Sequence, residues 1–268
     1  MSTEIQSSNK EAEHLKSEVK GYWNADPCGT QFTNLERGSS VFYDEVERYR
    51  YLHNPFMLQA CKFSQCSGKK LLEIGSGLGT DSVQFARSGA HVTCLDLTPE
   101  SIALAKKHFE IRGLEGDFVV GDAENLPFPD NTFDIVYSFG VLHHTPDTQK
   151  SIQEVYRVLK PGGEAIIMLY HKNSLHVYAG VPYHFLTGLI EGTLRGYDDW
   201  IRIYDGPNNP LGKAYSKSEC RTMFSQFSSI EFAVYDHYKR NMSRFLNNIH
   251  QQYTANHIGF NLMIYAKK

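Results

Sequence analysis

Between residues 68 and 170 the chain alternates short apolar runs with stretches of helical period, which predicts strands and covering helices in turn. Strands are expected at 71–74, 91–95, 118–120, 133–139 and 164–170. Runs of this kind alternating with helices are the βαβ signature of a parallel sheet covered on both faces. One intervening helix carries Val83, Phe85 and Ala86 and ends at Gly89. The next starts with Thr98 as N-cap and Pro99 at the first helical position, turns Ile102, Ala105 and Phe109 to one face, and stops at Gly113. A third helix, 152–159, is closed by Lys160-Pro161-Gly162-Gly163. Further on, Ser216 and Glu219 form a capping box that opens a helix with Cys220, Met223 and Phe224 inward. Strands follow at 230–235 and 260–266, the last reached without an ordinary crossover helix and so suited to an antiparallel hairpin. The fold class is α/β, with a doubly wound, mostly parallel seven-stranded sheet.

The flanks are less regular. Residues 1–13 are polar and read as a disordered tail. Residues 14–67 form an N-terminal helical cap, with a turn at 23–29 and helical stretches at 43–52 and 56–63. The sheet domain then occupies 68–268, with cap insertions at 171–214 and 239–257. The first insertion is aromatic, His-bearing and too long for an ordinary connection, which places it over the functional site.

Composition narrows the partners. With 27 Lys+Arg against 30 Asp+Glu, the field that would gather nucleic acid or an anionic membrane is missing. No apolar run reaches about 18 residues and the first twenty lack an apolar leader core, so no membrane partner is expected and the setting is cytoplasmic. Five cysteines without a disulfide framework suit reduced thiols. Cys61 and Cys66 have no second ligand pair at zinc spacing, and no metal is expected.

The chemistry gathers at strand ends. Glu73-Ile74-Gly75-Ser76-Gly77-Leu78-Gly79 follows the first strand and opens a helix, where glycines permit a tight turn and close approach of a ligand. The third glycine comes two residues after the second, not three, which disfavours a nicotinamide dinucleotide and an oxidoreductase. Glu73 before the loop repels phosphate and suits a cationic amino acid moiety. Asp96 ends the second strand, where a carboxylate accepts from a ribose diol. Asp122 and Ala123 follow the third strand, suited to an adenine, and Ser138 to His144 follow the fourth. Four strand ends thus converge on one edge, where open α/β sheets bind ligands.

These residues resemble the class I S-adenosylmethionine (SAM) dependent methyltransferases, and within them the subgroup similar to ubiquinone and menaquinone biosynthesis methyltransferases. The resemblance covers about 69–170 and is carried by 72–79, Asp96-Leu97-Thr98, Gly121-Asp122-Ala123-Glu124, Phe133-Asp134 and 157–163. It implies a Rossmann-like fold and SAM as cofactor, with S-adenosylhomocysteine as product. Gly75, Gly77 and Gly79 would lie against the methionine part, Asp96 would hold the ribose, and Asp122 with Ala123 would frame adenine. The segment around Tyr22 and Trp23 looks like the N-terminal lid of related enzymes. The candidate cofactor contacts are Tyr22, Trp23, Glu73, Gly75, Ser76, Gly77, Gly79, Asp96, Leu97, Asp122, Ala123, Glu124 and Ser138.

Methyl transfer is an in-line displacement that asks the protein to align the acceptor, exclude water and, for some acceptors, remove a proton. His143, His144 and His171 are the candidate bases, although a His at a strand end equally serves as a loop anchor. The Pro-Pro-Tyr type motif of amino-methylating enzymes of nucleic acids and proteins is absent, since Ser138-Phe139-Gly140-Val141 stands at that strand end. The expected activity is therefore methyl transfer to an N, O or C atom of a small molecule, by a monomer or homodimer. The alternative is a SAM-binding regulatory or scaffold subunit without catalysis.

Overall fold

The structure, a computed structural model, describes residues 2–193, 196–237 and 243–268. Its sheet begins with β1 (Lys70–Ile74), β2 (His91–Asp96), β3 (Asp117–Val120), β4 (Phe133–Phe139) and β5 (Leu159–His171), all parallel. β6 (Ala214–Tyr215), β7 (Ser229–Tyr235) and β8 (Asn261–Lys267) complete it. The strand order is β3-β2-β1-β4-β5-β8-β7, and β8 is antiparallel to both its neighbours, as the hairpin reading requires. The two-residue β6, beside Tyr170 and His171, is an eighth strand that a two-residue run could not announce. β5 also starts earlier than the sequence pattern indicates. Lys160 to Gly163 forms a bulge within it, where the register against β4 shifts between Phe133 and Ile135.

In the N-terminal part, α1 (Ser2–Ala25) is helical where a tail over 1–13 was expected. No Gly or Pro precedes Gly21, so nothing breaks the helix, and Val19 is buried near its far end. α2 (Ser40–His53) follows, capped by Ser39. α3 (Met57–Ala60) and a 3₁₀ turn at Phe63–Gln65 replace a single helix over 56–63, because Lys62 takes a left-handed conformation between them.

The crossover helices are α4 (Thr80–Arg87), α5 (Pro99–Arg112) and α6 (Thr148–Val158). α5 has the predicted Thr98 cap and Gly113 stop. The first insertion folds into α7 (Leu175–Ile190) and α8 (Tyr197–Arg202), and α9 (Lys217–Met223) opens with the predicted Ser216–Glu219 capping box. Of the second insertion, 239–242 lies outside the described residues; the remainder holds α10 (Arg244–Tyr253) and α11 (Ala255–Ile258). One face of the sheet packs Phe85, Phe109 and Tyr137, the other Ile152, Val155 and Val158. None of the described helices is long and apolar enough to cross a membrane.

Two contacts of α2 with this core are buried. Arg50 and Tyr51 of α2 bond the Asp81 carboxylate, and Tyr43 stacks on His108 of α5 with centroids 4.1 Å apart. His108 Nδ1 donates to the Leu78 carbonyl while Nε2 accepts from Arg112, so the ring is held neutral. Burial pushes its pKa down to about 4. The folded state therefore binds fewer protons than the unfolded state below about pH 6.5, and stability falls as pH drops from there towards 4. Urea unfolding between pH 7.5 and 5 should show this fall, at most about 1.4 kcal/mol per pH unit from this residue, and His108→Gln should flatten it.

Candidate functional site

The loops after β1, β2, β3 and β4 open onto one cavity of about 940 Å³, walled on its other side by α1, α2 and the first insertion. The β1 loop is tied to the next strand by Gly75 and Ser76, whose N–H groups donate to the Leu95 carbonyl at 2.7 and 3.0 Å. Gly75 has φ of 75°, and a Cβ there would overlap the Val141 side chain from the β4 loop. Only glycine lets these two loops meet. Gly77 donates its N–H to Asp96 Oδ2 at 3.0 Å. Ser76 Oγ is buried without a partner on the cavity wall.

Asp96 Oδ1 accepts from both the N–H and the hydroxyl of Thr98, at 2.9 Å each. With the Gly77 bond, these three occupy most of the acceptor positions of the carboxylate. Burial raises its pKa, opposed by the hydrogen bonds of Thr98 and Gly77 and by the Ser101 hydroxyl. Glu73 lines the cavity floor and accepts from Ser82 Oγ. Burial and the neighbouring Asp81 charge hold its carboxyl well above the usual range.

Asp122 accepts the Glu124 N–H at 2.9 Å and pairs with Lys16 Nζ at 2.7 Å, and Lys16 also reaches Glu124 at 2.9 Å. Burial alone would lower the Lys16 pKa, and the two carboxylates more than reverse that. Leu97, Ala123 and Trp23 also lie on the wall.

Four of the expected cofactor contacts are not on the wall. Gly79 (φ 71°) starts α4 and packs on Ala105 of α5, where an added Cβ would sit 3.2 Å from the helix. Glu124 accepts the Asp147 N–H at 2.7 Å and braces the start of α6. Ser138 donates to the Ile74 carbonyl inside the sheet at 3.0 Å. Tyr22 donates to the Asp205 carbonyl at 2.9 Å and so anchors the insertion.

The three histidines separate. His143 is fully buried off the cavity with both ring nitrogens unpartnered, and desolvation followed by the His144 charge drives its pKa well down. His171 is buried beside β8, with Nδ1 bonded to the Gly259 carbonyl at 3.0 Å. Neither lines the cavity, because their strand and turn direct them into the core. His144 does line it, packed by the Trp23 edge. Its Nδ1 faces the Leu211 carbonyl at 2.5 Å, which fixes the proton there, and its Nε2 lies 3.3 Å from Asp205 Oδ2. Asp205 in turn accepts from Tyr170 OH at 2.7 and 2.8 Å. Burial and the Asp205 charge raise the Tyr170 pKa, which keeps that hydroxyl a donor.

Asp205, Arg50, Lys16 and Asn261 are wall residues that sequence reasoning missed. Asn261 starts β8 beside Tyr170, and its Nδ2 is buried without a partner. The first insertion was expected to cover the site, which was the one available signal for Asp205.

Residues 72–167 match the family described as methyltransferase domain. The phthiotriol/phenolphthiotriol dimycocerosates methyltransferase of Mycobacterium leprae is 43% identical over 99 residues, 36% of each chain. The ubiquinone biosynthesis O-methyltransferase of Aromatoleum aromaticum is 28% identical over 186 residues, 67% of this chain and 77% of its own. Among solved structures, a SAM-dependent methyltransferase of Methanosarcina mazei superposes with a TM-score of 0.55 at 24% identity, over 75% of this chain and 92% of its own. The chain thus spans about a third of the length of the mycobacterial relative. The fold is shared with the solved methyltransferase of Methanosarcina mazei, and the match to the methyltransferase-domain family is confined to residues 72–167.

Gly75→Ala should cost about 2 to 5 kcal/mol, combining the left-handed φ with the overlap on Val141, and thermal unfolding measures it.

Proposed function

We propose that this protein transfers a methyl group from SAM to a nucleophilic N, O or C atom of a small molecule, as a monomer or homodimer. The reading rests on one observation above the others, the convergence of the β1, β2 and β3 loops on a single cavity with polar groups still to be met. The residues present suit the cofactor. Ser76 Oγ lacks a partner, the Asp96 carboxylate lines the cavity at the end of β2, and Gly75 and Gly77 leave the backbone open. A volume of about 940 Å³ is ample for a cofactor together with an acceptor.

The cofactor supplies an electrophilic methyl group that an aligned nucleophile displaces in line. Leu97 and Ala123 offer apolar contact at the adenine end, with Asp122 as hydrogen-bond acceptor. On the β4-β5-β8 side, Phe139, Met168, Tyr170 and Tyr204 wall off water and hold the acceptor. His144 Nε2 and Asp205 sit together there, the pair best placed to take a proton from an acidic acceptor or a protonated amine. A scaffold subunit without catalysis would have no use for such a pair. The relatives' names are those of small-molecule and lipid methyltransferases, and that acceptor class is carried over here. Five free cysteines support a reducing, cytoplasmic setting.

Asp96→Ala should weaken SAM binding by roughly 1.5 to 3 kcal/mol, read by calorimetry. Unchanged affinity would overturn the ribose assignment. An acceptor screen scored by S-adenosylhomocysteine release identifies the substrate. With it, His144→Asn and Asp205→Asn should each lower turnover by about a hundredfold or more while SAM affinity stays near wild type. Near wild-type rates in both variants would leave alignment as the whole of catalysis.

A further inference from the structure

The two insertions carry helices whose faces are the reverse of ordinary amphipathic packing. On α7 the buried positions are Val177, Gly180, His184 and Gly188, small or polar for the most part, and the notch at Gly180 receives the Trp200 ring of α8. Its outward arc, about 160° wide at about 100° per residue, is entirely apolar. Phe185, Leu186, Leu189 and Ile190 there are 45, 58, 51 and 85% exposed. On α10 the inward side holds polar contacts, His250 and Gln251 to Asp236, whereas Phe245 and Tyr253 are 72 and 64% exposed on one outward stripe. Seven large apolar side chains on α7 and four on α10 make eleven of the seventeen that the described residues expose. A concentration of this kind marks a docking surface.

The geometry points to an uncharged lipid bilayer as the occupant, with α7 and α10 lying on its surface. α7 has no Asp, Glu, Lys or Arg, and neither does 245–253. The net charge of the chain is −3, so attraction to anionic headgroups is not the driving term. Exposed Tyr178, Tyr183 and Tyr253 give the aromatic rings that favour the headgroup level. A second copy of the chain is the poorer occupant. The outward arc of α7 is apolar across its width and offers no charged side chain for the polar rim and hydrogen bonds that a protein interface carries. Both insertions leave the sheet at the ends of parallel strands, the edge on which the cavity opens, and Tyr204 and Asp205 of the first insertion line that cavity. Resting on the methyltransferase reading, the acceptor is then a lipid-soluble molecule taken from the bilayer. The proposal differs from the expectation of no membrane partner drawn from composition; among the described residues no helix is long and apolar enough to cross a bilayer, and α7 and α10 lie on its surface.

Flotation with large unilamellar phosphatidylcholine vesicles tests the surface without any turnover. The intact chain should float with the vesicles, unaffected by about 0.5 M NaCl. Leu186→Asp combined with Leu189→Asp should reduce partitioning at least about tenfold, with SAM affinity by calorimetry unchanged as the check on folding. Phe245→Asp provides an independent second variant on α10. Failure of the unsubstituted chain to float, or equal flotation of all variants, overturns the proposal. So does a dimer in light scattering that the same substitutions dissolve, which would give the face to a second copy. Loss of SAM binding by the unsubstituted chain would instead overturn the methyltransferase reading and leave the flotation result standing.

Discussion

Asp81, in the first turn of α4, has about 1% of its side chain exposed, and its two oxygens accept from four donors. Arg50 gives two bonds at 2.8 and 2.5 Å, Tyr51 one at 2.8 Å and Tyr137 one at 2.7 Å. A carboxylate taken out of water costs several kcal/mol unless such bonds replace its hydration, and removing one partner of a buried pair costs about 3 to 5 kcal/mol. The donors come from α2 and from β4, so satisfying this charge fixes where α2 stands over the sheet. Tyr49, Arg50, His53 and Asn54 of that segment form part of the cavity wall. The cavity exists because this carboxylate must be met from both sides. Burial, with the same charge second, raises the pKa of the neighbouring Glu73.

Around that anchor the work divides along the sheet. β1, β2 and β3 present backbone glycines and two carboxylates suited to a nucleoside. β4, β5 and β8 present rings, an amide and the His144–Asp205 pair. α1 touches both halves: Lys16 pairs with Asp122, while Tyr22 bonds the Asp205 carbonyl and Trp23 packs on His144. Six or seven residues separate these contacts, about 10 Å along the helix. One rigid element thus spans both ends of the cavity.

Much of this was legible in the residue order. The strand ends, the cap and stop of α5 and the glycine loop were readable because each depends on local period or on backbone conformations special to glycine and proline. What escaped depends on contacts distant in sequence. Lys16 meets Asp122 across 106 positions, and Asp205 meets Tyr170 across 35. His143 and His144 are chemically identical neighbours, yet the 3₁₀ turn at Leu142–His144 rotates successive side chains by about 120°, sending one into the core and the other to the cavity. Composition likewise marks 175–190 as apolar, but which side faces outward is decided by Trp200 filling the notch at Gly180.

Hydrogen–deuterium exchange with saturating S-adenosylhomocysteine tests most directly whether the three loops form one nucleoside site. Protection should appear together in the amides of 75–79, 96–98 and 121–124, at a common ligand dependence, with β7 unchanged. Protection confined to one loop, or none in any of them, would contradict the account.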